Sequence, residues 1–158
     1  MMNIRPKTKR NHFLITLTSL TLFISLISFN TNRSAGLIED VLEQTNKFRA
    51  ANGLPELEML QDLNAIAQKH SENMASGTVS FGHNGFAKRA ALARKKIEGS
   101  NGFAENVAYG PTSASQLITM WKDSPPHRRN MLGKYEYVGI GIAKDRRGTM
   151  YYTMVFAD

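Results

Sequence analysis

Three residues combine reactive chemistry with suggestive surroundings: His83 in "FGHNGF", Glu105 in "GFAENVAYG" and His127 in "MWKDSPPHRRNML". Both histidines sit in short segments bounded by Gly or Pro, and loops held on a rigid scaffold commonly carry function. Glu105 is an acid inside an apolar, glycine-flanked stretch, so it must find a partner to escape the cost of a buried, unpaired charge. Two imidazoles and one carboxylate would suit zinc, with a fourth position open for water. The three lie 22 and 22 residues apart without a local motif such as H-E-x-x-H, so spacing alone does not bring them together. The competing reading makes each a capping or hydrogen-bonding residue in a network that fixes loops.

The segment around His127 carries more detail. Ser124 ahead of Pro125 reads as a helix N-cap followed by proline at the first helical position, which puts His127 at the third. The positive end of the helix dipole there disfavours imidazolium and predicts a neutral, ligand-competent ring, unless Asp123 offsets it. Ser124 is expected to spend its hydroxyl on capping. Nothing like a nucleophile elbow surrounds it, which argues against a serine hydrolase built on Ser124, His127 and Asp123 or Glu105. His70, in "AQKHSENMA", reads as a mid-helix residue rather than a ligand, and His12 falls in the basic N-terminal lead.

The elements that would position these residues follow from hydrophobic periodicity. Leu37, Val41, Leu42, Thr45 and Phe48 recur at helical spacing until Gly53 and Pro55. A second helix is predicted over about Asp62 to Met74, with Gly77 as its stop. "FAKRAALARKKI" reads as a short basic helix, "EGSNGFAENVAYG" as an extended loop or short strand, and "SASQLITMWKD" as a further helix. "YVGIGIAKD" and "TMYYTMVFA" alternate around "DRRGT" and predict an antiparallel hairpin. Helices first and in the middle, with strands at the end, fit an α+β domain whose helices pack on an antiparallel sheet.

Composition limits what such a domain does. The 158 residues suit one domain. Of the net charge of +7, five basic residues and no acidic one fall in residues 1–35, leaving a body at only +2. Basic residues at 88–96 and 128–129 are not interleaved with aromatics, so nucleic acid is not the expected partner. The N-terminal charge precedes the uncharged run 13–29, which reads either as a cleaved secretory signal or as a membrane anchor with the domain outside. Residues 1–35 are thus expected to be signal or anchor plus spacer, and 36–158 an exported domain, secreted or held on the outer face of the cytoplasmic membrane. There is no cysteine, so neither a thiol nucleophile nor a disulfide framework is open to it.

Taken in order, "NKFRAANGLPELEMLQDLNAIAQKHSENMA", "FGHNGF" with a following Arg89, "AENVAYG", "MWKDSPPHRRNML", "VGIGIA" and "YYTMVF" resemble the CAP superfamily. This is the superfamily of cysteine-rich secretory proteins, antigen 5 and plant pathogenesis-related proteins, and the likeness is to its bacterial SCP-domain branch, over roughly residues 37–158. The resemblance implies an α-β-α sandwich around a central antiparallel sheet, with a cleft lined by His and Glu. In eukaryotic members two histidines and two glutamates line that cleft and bind zinc in some cases. Here the first His corresponds to His83 and the Glu of "EN-x-A" to Glu105. Ser124 stands where the second Glu would fall, and Tyr151 where the second His would. The bacterial "SPGHR" motif supplies His127, with Pro126 in place of Gly.

The resulting expectation is a monomeric exported binding module whose cleft, lined by His83, Glu105, Ser124, His127 and Tyr151, holds a small molecule, lipid, wall component or protein. The alternative is a zinc-dependent hydrolase with His83 and His127 as ligands and Glu105 as a ligand or general base.

Overall fold

The computed structural model describes residues 36–158, so the signal or anchor expected over residues 1–35, with its apolar run 13–29, lies outside the described residues. In chain order the elements are α1 over 36–50, then β1 Glu58–Met59, α2 Gln61–Ala75, α3 Phe86–Lys96, β2 Phe103–Tyr109, α4 Ala114–Asp123, α5 Pro125–Met131, β3 Tyr137–Lys144 and β4 Met150–Ala157. The strand order is β1-β3-β4-β2. The sheet is antiparallel except at β1, which joins β3 in parallel over two residues. That short strand was announced by no signal in the sequence, because two residues carry no periodicity.

The expected hairpin is present. Asp145 closes its turn by accepting hydrogen bonds from the backbone N–H groups of Arg147 and Thr149, and Gly148 supplies the positive φ of 90° that the reversal needs. "AENVAYG" is a full edge strand, β2, in register with β4 from Phe103↔Ala157 to Tyr109↔Tyr151.

Alternation divides the sheet into two faces. Tyr152, Met154 and Phe156 of β4 join Val138, Ile140 and Ile142 of β3, and they pack with Val41 of α1, Leu117 and Trp121 of α4 and Met131 of α5. Val155 and Ala157 point the other way, onto Leu63 and Ala67 of α2 and Ala93 of α3. Helices therefore cover both faces, as the α-β-α expectation required.

Two devices seat the helices. α2 lies so close on β3 that a Cβ on Gly139 or Gly141 would land inside the Leu63 or Ala67–Gln68 backbone, which is the physical content of "VGIGIA". From that position Asn64 and Gln68 accept hydrogen bonds from the Ile140 and Ile142 N–H groups, at 2.8 and 2.9 Å, and so occupy strand donors that β1 is too short to reach. On the opposite side Arg49, 1% exposed, donates to the carbonyls of Pro55, Met131, Gly133 and Tyr135. One guanidinium thus ties the end of α1 to the segment leaving α5.

Gly141→Ala is expected to destabilise the fold by about 1–3 kcal/mol or more, since the clash is with backbone rather than a movable side chain. Urea unfolding checks this, and an unchanged midpoint would contradict the packing described.

Candidate functional site

Glu105 sits third in β2, directly opposite Val155 of β4, so its side chain enters the α2/α3 face. It is 4% exposed. Its partner is Arg89 on α3, whose Nε donates to Oε2 and whose Nη2 donates to Oε1 at 2.7 Å. A fork of two parallel N–H groups on one carboxylate is the strong geometry for a charge pair. The third partner is His83, whose Nδ1 lies 2.8 Å from Oε1. A carboxylate only accepts, so Nδ1 carries a proton and donates, while Nε2 has no partner among the described residues on a ring whose side chain is 49% exposed.

The loop carrying His83 is pinned from several directions. His70, buried on α2, bonds the Gly82 carbonyl through Nε2 at 2.8 Å. Arg89 also donates to the Asn84 carbonyl, Asn84 bonds Ser80, and Gly82 and Gly85 take positive φ on either side. His70, read as a bystander from its mid-helix position, is therefore a positioning residue for this loop. The signal that could have found it is its spacing from Gly82, which only becomes a contact once α2 is laid beside the loop.

His127 reaches the same region from the other side. α5 lies along the outer edge of β2. Asn130 donates to the Glu105 carbonyl and to the Asn106 side chain, and Asn106 donates to the His127 carbonyl. These bonds occupy the edge strand's free groups and set the height of His127.

Within α5 one expectation fails. Ser124 makes no side-chain capping bond, although Pro125 and Pro126 do occupy the first helical turn. Pro126 has no N–H to offer at the second position, and the Ser124 hydroxyl turns instead to Nδ1 of His127 at 2.8 Å. The predicted neutral ring stands, with a different leading cause: burial lowers the His127 pKa, and nearby His83 lowers it further. Burial likewise lowers His70.

Of the five expected cleft residues, His83 and Glu105 are in direct contact and Ser124 and His127 form a second pair. Tyr151 stands apart from both pairs, stacked on Tyr109 with ring centroids 5.9 Å apart. Arg89 is the component the zinc expectation did not weigh as a partner. It engages both oxygens of Glu105. Among the described residues no group of three or more His, Cys, Asp or Glu is arranged to hold a metal ion.

Residues 42–156 match the cysteine-rich secretory protein family, CAP. An uncharacterised membrane protein of Bacillus subtilis is 31% identical over 121 residues, covering 75% of this chain and 33% of its own length. A cysteine-rich secretory protein from Staphylococcus aureus superposes with a TM-score of 0.64 at 27% identity, over 78% of this chain and 38% of that one. An extracellular SCP-domain protein from Bacillus anthracis does so with a TM-score of 0.66 at 26% identity, over 77% and 40%. This chain thus spans about a third of the curated relative and roughly two fifths of each of these two structures.

Replacing Arg89 with Met leaves a buried carboxylate without its counter-charge. The expected loss of unfolding free energy is about 3–5 kcal/mol, with Arg89→Lys in between because Lys lacks the fork. Equal stability of all three forms would remove Glu105 from its structural role.

A second expectation concerns acid. His70 and His127 bind protons more weakly folded than unfolded, so below about pH 6.5 the unfolded chain takes up protons that the folded chain refuses. Stability should hold above that value and fall as pH drops toward the lowered folded values. Urea midpoints measured across that range should show this, with a smaller loss in His127→Asn.

Proposed function

This chain belongs to the cysteine-rich secretory protein (CAP) family, in its bacterial SCP-domain branch, and from that premise we propose that it is an exported binding module whose cleft presents His83 and His127 to a ligand. The observation that carries the reading is the commitment of Glu105. Its carboxylate is consumed by Arg89 and by the Nδ1 proton of His83, which leaves a fixed imidazole with an open Nε2 rather than a carboxylate free to activate water. Export is supported by the basic lead and apolar run at the N-terminus and by relatives that are a membrane protein and an extracellular protein. The ligand classes in view are a small molecule, a lipid, a wall component or a protein surface.

The geometry works in the manner of a preorganised site. His83 is oriented by Glu105, and its loop is held by His70 and Arg89, so little freedom remains to be lost when a ligand arrives. His127 is kept in its neutral form by burial and can offer a hydrogen bond without a desolvated charge. Hydrolysis through a bound metal is less favoured, because it needs Glu105 released from Arg89. Attack by Ser124 is less favoured because no carboxylate among the described residues is bonded to the His127 ring that its hydroxyl faces.

A binding screen of the full chain against lipids, wall-derived fragments and small metabolites tests this, followed by His83→Ala and His127→Ala. The expected result is a bound class whose affinity falls about tenfold in each variant, with His83→Ala also lowering Tm through its lost bond to Glu105 and compared at a temperature where it is folded. A lowered Tm with unchanged affinity would favour a purely structural network. Stoichiometric zinc in titration calorimetry at neutral pH, with turnover of a substrate, would sink the reading in favour of a hydrolase.

A further inference from the structure

Beside His83 lies a group of side chains that the fold does not need. Tyr109 and Phe81 are large aromatic residues left 54% and 46% exposed. They touch each other edge to face with centroids 4.8 Å apart, and Tyr109 in turn stacks on Tyr151 at 5.9 Å and 25°. Aromatic rings bury large apolar areas when a fold can use them, and a contiguous exposed patch marks a binding surface more often than a packing fault.

Position gives the row its meaning. Tyr109 and Glu105 are four residues apart on one face of β2, about 13 Å at the rise of a strand. Phe81 is two residues before His83, on the loop pinned by His70 and Arg89. The loop therefore runs beside the strand, with the imidazole at the Glu105 end and the aromatic row at the Tyr109 end. A ligand touching both must be extended.

Its chemistry is limited by what lines the path. Arg89 and Glu105 cancel each other's charge, which offers little to an anion or a cation. The hydroxyls of Tyr109 and Tyr151 bond to no other described residue, and neither does Nε2 of His83. Half-exposed rings bordered by uncharged hydrogen-bonding groups suit a molecule with apolar faces and a hydroxylated rim. They do not suit a lipid chain, which gains most from enclosure.

We propose that the Phe81–Tyr109–Tyr151 row is a carbohydrate subsite, binding a neutral oligosaccharide whose pyranose rings stack on the aromatics while a hydroxyl reaches His83. This rests on the binding-module reading and names its ligand class. Tyr151, at the position where the resemblance puts a second histidine, then contributes a ring surface in place of a metal ligand.

The test is isothermal titration of the full chain with cellohexaose and chitohexaose, beside an anionic heparin hexasaccharide and palmitate. A neutral hexasaccharide should saturate the protein, and Tyr109→Ala and Phe81→Ala should each weaken it about tenfold, with Tyr109→Phe within about threefold. In the parent protein the Tyr109 and Tyr151 ring resonances should shift on sugar addition, a readout that needs no variant to fold. Saturation by neither neutral saccharide overturns the inference, as does equal binding by Tyr109→Ala and the parent. Binding of palmitate or heparin that is lost in His83→Ala but kept in Tyr109→Ala overturns the aromatic subsite while leaving the cleft-binding reading intact.

Discussion

A carboxylate buried on an edge strand is the constraint around which this domain is arranged. Left alone, Glu105 would cost more than a small domain's core readily supplies. It is matched by a two-pronged guanidinium and an imidazole, which come from α3 and from the loop between α2 and α3. Satisfying one charge thereby fixes a helix, a loop and a strand against one another. The same contacts hold a proton on Nδ1 of His83 and fix its half-exposed ring, so the solution to a burial problem is also what shapes the site.

The remaining elements hold that arrangement at the right distance. α2 sits on bare glycine backbone at Gly139 and Gly141, closer than any side-chain-bearing strand would permit, and from there His70 reaches the Gly82 carbonyl. Arg49 acts from the opposite face, gathering four carbonyls around the end of α1 and the exit of α5. Buried without a carboxylate partner, it uses backbone dipoles as its counter-charge. Asn130 and Asn106 then lock α5 onto the open edge of β2. The two histidines are thus delivered to the neighbourhood of β2 on separate elements, each through its own partner.

Family membership and site chemistry separate here. The fold matches that of bacterial relatives, yet the positions that would complete a metal-binding set hold Ser124 and Tyr151, and the one acid is engaged by Arg89. Ser124 has been drawn into the local conformation of α5, bonded to the ring of His127. Tyr151 has joined an aromatic row. On this scaffold these positions contribute a hydrogen bond and a ring stack.

How much of this was legible before folding depended on the range of each signal. α1, α2, α3, α4 and the β3–β4 hairpin were readable because their apolar periods, caps and turn residues act over a few neighbours. Pro125 at the start of α5 placed His127 correctly at the third helical position for the same reason. The strand character of "AENVAYG" stayed ambiguous, since a short glycine-flanked stretch interrupted by Glu105 and Asn106 fits a strand or a loop until β4 is beside it. The sequence by itself determined the helices, the hairpin, the family and the identity of His83, Glu105 and His127 as the residues to watch. The tertiary structure alone decided their partners: Arg89 for Glu105, Gly82 for His70, Ser124 for His127 in place of a cap, and Tyr109 for Tyr151. Propensity and patterning are local, whereas the pairing of a buried charge is settled by which donors the packed chain brings within about 3 Å, and no spacing along the chain records that distance.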